Sequence, residues 1–492
     1  MAPANHQAKI EYGDFQTPLG LATKVCQKLV ELGVKPRVVI EPTCGFGNFV
    51  NAAAQVFHTA EKIIGVEINS AYLQKNNPIE GLFNDERVEI HQGNFFDFDW
   101  VSLIKDCQIK DRQGEILILG NFPWVTNSQQ GQISGTNLPQ KHNFQKHSGL
   151  DAITGKSNFD ISEWMLIKAV DWIHAHNGCI AMLCKTSVTR KLLNYIRAQK
   201  LNLAYFSIYK IDAKQHFGAI VDACLLVCKF DSTSQNYFCD VFEDLENSNH
   251  SRIGYYKTTL IRDLESFQQV SRLFTSKTQI KWRSGIKHDC SNVMEFRKVK
   301  GNLINGFGKT VEIEDTYLYP LFKGSDVANG NIHATDKYML VTQKNAGDST
   351  ELIREIAPKT WSYLAENSKY LNSRKSRIYQ NNPQFSIFGV GTYTFAPWKI
   401  AISGLYKRLN FRLVHPLTEK PAIFDDTVYF LSFEDEQSAR KTFALLTSKL
   451  ATAFYLSLIF WDEKRPIKTS ILNSLDLEAL GKVQSQLEKL LV

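Results

Sequence analysis

Four consecutive residues, Asn121-Phe122-Pro123-Trp124, combine an uncharged amide, a backbone carbonyl, a rigid bend and a large π-face. The amide oxygen and the Phe122 carbonyl are two acceptors that can hold the N–H bonds of an exocyclic amino group, while the indole stacks on the ring that carries it. None of the four is an obvious proton-transfer base or metal ligand, so the chemistry they favour is the positioning of a weak amine nucleophile. The run ahead of them, Ile116-Leu117-Ile118-Leu119, is wholly apolar and bounded by Gly and Pro, which predicts a buried parallel strand opening into a loop. In open α/β sheets ligands sit at that place, the carboxyl end of a strand.

The elements upstream supply a second set of candidates. A strand over 37–40 runs into Glu41-Pro42-Thr43-Cys44-Gly45-Phe46-Gly47, and a helix over 50–57 follows at once. Strand, Gly-x-Gly turn and helix let a ligand approach backbone N–H groups at a helix N-terminus. Alone this pattern is weak, because glycines also end strands for local reasons. The next strand, 63–68, carries Glu67 twenty residues after Gly47, where a carboxylate can accept both hydroxyls of a ribose. The third glycine of a dinucleotide fingerprint is missing. Thr17-Pro18 precedes a helix over 21–32, and a third strand over 88–91 leads to Gly93-Asn94-Phe95.

Beyond the Asn121 loop, residues 125–160 are polar and too many for a structureless connection, so a flap beside the ligand is expected. Within it Gly155-Lys156-Ser157 looks like the end of a phosphate-binding loop. The upstream Gly149 is one residue too far away and no strand precedes it, so no nucleoside triphosphate site is expected. A helix over 159–173 with Asp160 as N-cap, strands over 179–184, 203–209 and 224–230, and a helix over 187–198 complete the alternation of an α/β domain. Phe217 lies just before the last of these strands, and His216 beside it reads as structural.

In kind and in order, these segments resemble the motifs of the gamma-class S-adenosylmethionine-dependent DNA amino-methyltransferases, which modify adenine N6. Glu41-Pro42-Thr43-Cys44-Gly45-Phe46-Gly47-Asn48-Phe49 resembles motif I of the class I methyltransferases, and Thr17-Pro18 resembles the motif placed before it. Glu67 matches the ribose-binding acid. Asn94 stands where the family commonly has an Asp that accepts from the cofactor adenine, and it retains a side-chain carbonyl. Asn121 to Trp124 resembles Asn-Pro-Pro-aromatic, with Phe122 for the first Pro and Trp124 for the usual Tyr. Any residue after Asn121 supplies a carbonyl, so the Phe122 departure removes no functional atom.

The resemblance covers roughly the first half of the chain. It implies a Rossmann-like class I methyltransferase domain over 1–243, followed by a mixed α+β target-recognition domain with C-terminal helices over 244–492. It implies S-adenosyl-L-methionine held by Thr17, Pro18, Glu41, Thr43, Cys44, Gly45, Gly47, Glu67, Ile68, Asn94, Phe95 and Asn121. It further implies an adenine extruded from double-stranded DNA, held by Asn121, Phe122, Pro123 and Trp124 and stacked on Trp124 and Phe217. Within the family, Asn at position 121 favours adenine N6 over cytosine N4. A role in restriction and modification, with a companion restriction endonuclease, belongs to the same expectation. Similar loops serve RNA and protein-glutamine N-methyltransferases, and a non-catalytic DNA-binding homologue is a further alternative.

Charge bears on that choice. The chain of 492 residues has net charge +7, but residues 1–250 hold 23 Lys+Arg against 26 Asp+Glu and residues 251–492 hold 34 against 24. A basic second half suggests contact with a polyanion. Its candidates are Lys287, Arg374, Lys375, Arg377, Lys399, Lys407 and Arg408, interleaved with aromatics and glycines. Phosphate contacts of this kind position DNA, whereas amides and Arg reaching base edges specify it. The nine cysteines are scattered without a CxxC pair, several inside apolar runs, so buried thiols are expected rather than disulfides or zinc. No run of 18 apolar residues occurs, the N-terminus lacks a signal peptide's apolar stretch, and a cytoplasmic, monomeric protein without membrane association is expected. Residues 243–252 read as the interdomain linker, and 439–454 and 475–491 as C-terminal helices.

Overall fold

A computed structural model describes residues 15–73, 84–108, 115–124, 160–176, 178–277, 280–417 and 419–490. The expected flap over 125–160 and the Gly155-Lys156-Ser157 stretch lie outside these residues, except for Asp160. The chain divides into two compact units, Met1–Leu264 and Glu265–Val492.

The first unit is built on a ten-stranded sheet whose strands lie in the order Thr259–Ile261, His250–Tyr256, Cys239–Phe242, Leu203–Ile211, Ala223–Phe230, Cys179–Lys185, Glu115–Asn121, Pro36–Glu41, Lys62–Glu67, Val88–Gln92. In its parallel part β1 (Pro36–Glu41), β2 (Lys62–Glu67), β3 (Val88–Gln92), β4 (Glu115–Asn121) and β5 (Cys179–Lys185) alternate with helices α1 (Leu19–Glu31), α2 (Asn48–Val56), α3 (Trp100–Gln108), α4 (Ile161–Ile173) and α5 (Thr186–Ala198). The central strands β1, β4 and β5 are apolar along most of their length because both faces are covered. Val39, Leu117, Leu119, Ala181 and Leu183 pack in one core with Leu21, Val25 and Leu29 of α1 and Phe49, Val50 and Ala53 of α2. Asp160 caps α4, accepting from the Ser162 N–H at 3.2 Å.

After β6 (Leu203–Ile211) and a short helix α6 (Ala213–Phe217), β7 (Ala223–Phe230) turns back between β5 and β6, antiparallel to both. Ala223 is therefore level with Lys185 and Ile211, at the edge where β4 and β5 end.

The first unit runs 21 residues beyond the expected boundary at 243. The stretch read as a linker is a turn between β8 (Cys239–Phe242) and β9 (His250–Tyr256), and β9 with β10 (Thr259–Ile261) extends the sheet antiparallel. Polar composition marked the turn; the strand after it is too short and too polar at its start to announce itself.

The second unit is mixed α+β. It holds a six-stranded sheet, a four-stranded sheet, and helices Glu436–Leu446, Lys449–Leu458 and Leu477–Leu490. The helix expected over 439–454 is two helices, because Ser448 interrupts it and caps the second, its Oγ accepting from the Ala451 N–H at 3.2 Å. Eight of the cysteines are buried, Cys290 is half-buried, and all nine are free thiols. Among the described residues no helix is long and apolar enough to cross a membrane.

Candidate active site

Strand β4 delivers Asn121 to the carboxyl edge of the sheet with its amide already oriented. Nδ2 donates to the Phe15 carbonyl at 3.1 Å and to Thr17 Oγ1 at 3.3 Å. Oδ1 is buried and accepts no hydrogen bond among the described residues. An acceptor left so costs about 1–3 kcal/mol. The amide is thus fixed by its nitrogen and open at its oxygen.

Phe122 is 1% exposed, its ring edge-on to Phe95 with centroids 5.4 Å apart. Phe95 in turn lies against Trp100 and Trp172, at 5.5 and 5.4 Å. Where the resembling motif has a proline to stiffen the loop, this chain anchors a buried ring. Trp124 donates from Nε1 to the Leu183 carbonyl at 3.5 Å. Its ring meets Phe217 edge to face at 5.0 Å and Phe15 at 5.7 Å. Trp124 and Phe217 are therefore brought together as expected, but they touch and leave no slot for a third ring between them. Phe15, 106 residues from Asn121 in sequence, completes this group and was not singled out from the sequence.

On the other side of β1 the turn after Glu41 is held from several directions. Gly45 and Gly47 have φ of +52° and +72°, where a side chain is strained. A Cβ on Gly45 would lie 2.5 Å from Gln16 Oε1, which accepts from the Phe46 N–H at 3.1 Å. Asn48 Nδ2 donates to the Thr17 carbonyl at 2.8 Å, Pro18 caps α1, and Thr43 Oγ1 reaches the Asn121 carbonyl at 3.5 Å. Gln16 and Asn48 are further positioning residues that the sequence did not mark; adjacency to Thr17 and to Gly47 was their only signal. Glu67 takes the Gly45 N–H on Oε2 at 2.8 Å and the Asn69 N–H on Oε1 at 2.7 Å. Ile68 beside it is 36% exposed, an apolar surface at the same edge.

Glu41 and Cys44, expected at the ligand, face the interior instead. Glu41 Oε2 accepts from the Val50 N–H at 3.0 Å in the first turn of α2. Burial raises its pKa well above the usual carboxylate value, with the charge of Glu67 acting in the same direction and the Val50 N–H opposing. Gly120, at φ +149°, would place a Cβ 3.2 Å from Glu41 Cγ, so that carboxyl also sets the approach of β4. Burial likewise raises the Cys44 thiol, whose sulfur would be 3.0 Å from a Cβ on Gly65. Asn94 closes its own turn, accepting from the Phe96 N–H at 3.2 Å and donating to Asp97 Oδ2 at 3.3 Å. Phe95 is buried among the aromatic rings. Glu67, the side-chain-free turn at Gly45 and Gly47, and Ile68 fit the ribose and adenine of S-adenosylmethionine. Among the described residues no group of three or more His, Cys, Asp and Glu is placed to hold a metal ion.

The basic candidates of the second unit divide. Lys375, Arg377, Lys407 and Arg408 are exposed. Lys287 is half-buried, 3.5 Å from Asp289. Arg374 is engaged internally: Nε donates to the Leu371 carbonyl, Nη1 to the His288 and Ser386 carbonyls, and the guanidinium lies 3.7 Å from the Tyr379 ring centroid. Lys399 is 1% exposed, its Nζ donating to the Ala396 and Ala422 carbonyls at 2.6 and 2.9 Å. These two are corrections to the sequence reading: Lys399 is buried, and Arg374 spends three of its five N–H donors on backbone carbonyls, so both side chains are turned to the fold rather than presented to phosphate.

The chain is 62% identical over 477 residues to the type II methyltransferase M.NspV of Nostoc sp. (strain ATCC 29411 / PCC 7524), covering 97% of this chain and 98% of that protein. Among solved structures it resembles the type IIL restriction-modification enzyme MmeI in complex with DNA, with a TM-score of 0.55 and 13% identity over 96% of this chain and 69% of the other. That second likeness is one of fold. No protein-family model matches the chain.

Proposed function

The chain belongs to the S-adenosylmethionine-dependent type II methyltransferases of restriction-modification systems, and from that premise we propose that it methylates adenine N6 at a specific site in duplex DNA. The observation that carries this reading is the buried Oδ1 of Asn121, which accepts no hydrogen bond among the described residues while the amide is held through its own Nδ2.

An exocyclic amine delocalises its lone pair into the ring and is a poor nucleophile. Asn121 Oδ1 and the Phe122 carbonyl accept its two N–H bonds, draw the nitrogen towards tetrahedral geometry and aim the lone pair. When bound, S-adenosylmethionine supplies an electrophilic sulfonium methyl. Asn121 Oδ1 and the Phe122 carbonyl would hold the amine while it takes that methyl, and the methylated nitrogen would pass its proton to water, so no strong base is needed. Orientation of this kind supplies about 7–11 kcal/mol. The target is inside a duplex and must be turned out, at a cost of a few kcal/mol. Stacking on Trp124 and Phe217 returns about 1–3 kcal/mol per ring, and it requires those rings to part from their edge-on contact. The second unit serves as the target-recognition domain, with Lys375, Arg377, Lys407 and Arg408 at phosphates. A companion endonuclease would read the same site.

The test is methyl transfer from labelled S-adenosylmethionine to unmethylated genomic DNA, followed by digestion to nucleosides. Label in N6-methyldeoxyadenosine is the expected result. Label in N4-methyldeoxycytidine would keep the acceptor geometry and overturn the base, and label only in RNA or protein would overturn the substrate.

A further inference from the structure

Among the described residues, Ile220 is the most exposed large apolar side chain, at 92%, and Val221 beside it is 39% exposed. Water is a poor environment for a branched hydrocarbon, and nothing in the fold requires one here. The surrounding chain is well fixed. Phe217 touches Trp124 and Phe15. Gly218 closes α6 in the left-handed conformation, its N–H donating to the Lys214 carbonyl at 3.0 Å. The Ala219 N–H donates to the Ala213 carbonyl at 3.2 Å, and its side chain packs on the core. The Asp222 carbonyl accepts from the Thr186 N–H at 2.9 Å, one residue before β7 begins. Ile220 and Val221 thus form a short apolar tip between two anchored points, at the edge of the sheet where Asn121 lies. Lys214 and Gln215, exposed on α6, give that tip a basic and amide-bearing flank.

Resting on the reading of this site as one that takes an extruded base, we propose that Ile220, backed by Val221, enters the duplex and fills the space that the target base vacates. Turning a base out of the stack leaves a gap, and apolar side chains inserted between base steps are a recurrent way of holding DNA in such a deformed state. Three residues span at most about 10 Å, so the tip and the Phe217 ring serve the same nucleotide step, one on the stack and one on the extruded base. The contact is made only by the opened duplex, and it therefore favours extrusion over mere attachment.

The test uses the full chain and a duplex carrying its recognition site, read beforehand from the methylation map of genomic DNA. Ile220→Ala should lower kcat/KM on the fully paired site by about tenfold, as for loss of one stacking contact. On a duplex with an abasic position opposite the target, where pairing is already lost, the variant should come within about twofold of the unaltered protein. Ile220→Leu should restore activity on the paired site, and thermal stability should be unchanged throughout. Equal activity of Ile220→Ala and the unaltered protein on the paired site overturns the proposal, as does an equal loss on both duplexes. A fluorescent adenine analogue at the target position separates this outcome from failure of the site reading. If the unaltered protein leaves its fluorescence unchanged and gains nothing from the abasic duplex, base extrusion itself is refuted, whatever Ile220 does.

Discussion

At the tip of β2 both oxygens of Glu67 are engaged, by the Gly45 and Asn69 N–H groups at 2.8 and 2.7 Å. On the other side of β1, at the tip of β4, Asn121 Oδ1 is just as enclosed and accepts nothing among the described residues. Glu41 lies between them, its carboxyl turned onto the Val50 N–H. Glu67 braces the Gly45 turn and Glu41 the first turn of α2, whereas the amide is fixed by its nitrogen and its oxygen accepts nothing among the described residues. An enclosed acceptor without a donor is destabilising by about 1–3 kcal/mol, a cost that an amino group bound there would remove. In the proposed reading, that difference separates scaffold from reaction centre.

The most direct way to break this comparison is Asn121→Ala. Turnover should fall by at least about 10²–10³-fold, as for removal of one preorganised polar group at a reacting centre, with cofactor affinity by calorimetry unchanged. Appreciable residual turnover would mean that the open oxygen is not the reaction centre. Next in size, Glu67→Gln puts an amide N–H₂ against a backbone N–H and should weaken cofactor binding roughly 10–100-fold. Glu41→Gln, at a carboxyl turned onto the Val50 N–H in the interior, should leave that affinity alone. Equal losses in the two variants would erase the distinction between the acids.

The same distinction extends to the second unit. Arg374→Ala strands the His288 and Ser386 carbonyls and should destabilise by about 1–3 kcal/mol in a denaturant melt. Lys407→Ala and Arg408→Ala should leave stability unchanged and each reduce the slope of log K against log salt by about one. Smallest over any one pH unit is the contribution of Lys399, which burial lowers from 10.5 to about 7 against the opposing charge of Glu434. Between those values the folded chain holds fewer protons than the unfolded one, so stability rises with pH across that window and is lost as pH falls towards 7. Lys399→Met should remove that slope, at most ~1.4 kcal/mol per pH unit, in melts compared from pH 7 to 10.

What could be read from the amino-acid order follows from how local each feature is. Asn121, Gly45, Gly47 and Glu67 stand at strand ends, and the β-turn-α connection places strand ends along one edge whatever lies between them. Phe15 and Gln16 could not be read in this way, since their parts are set by contacts to Asn121 and Phe46 formed across long stretches of chain. Arg374 and Lys399 were misassigned because a sequence displays a charge but not the carbonyls that fold around it. The boundary near 243 failed for a similar reason. A polar turn between antiparallel strands has the composition of a linker, and only the pairing of β9 with β8 tells them apart.

The reversal of β7 has a thermodynamic consequence. The eleven residues between Ile211 and Ala223 are closed by the pairing of those two residues in the sheet, so their conformational entropy is lost when the chain folds, not when DNA arrives. In the proposed reading the backbone of the Phe217 turn and of the tip beyond it therefore meets the duplex preformed, with only the Trp124 and Phe217 rings to part. Association at this edge should carry the modest heat-capacity change of docking, without the large additional decrement that marks a segment folding on its partner.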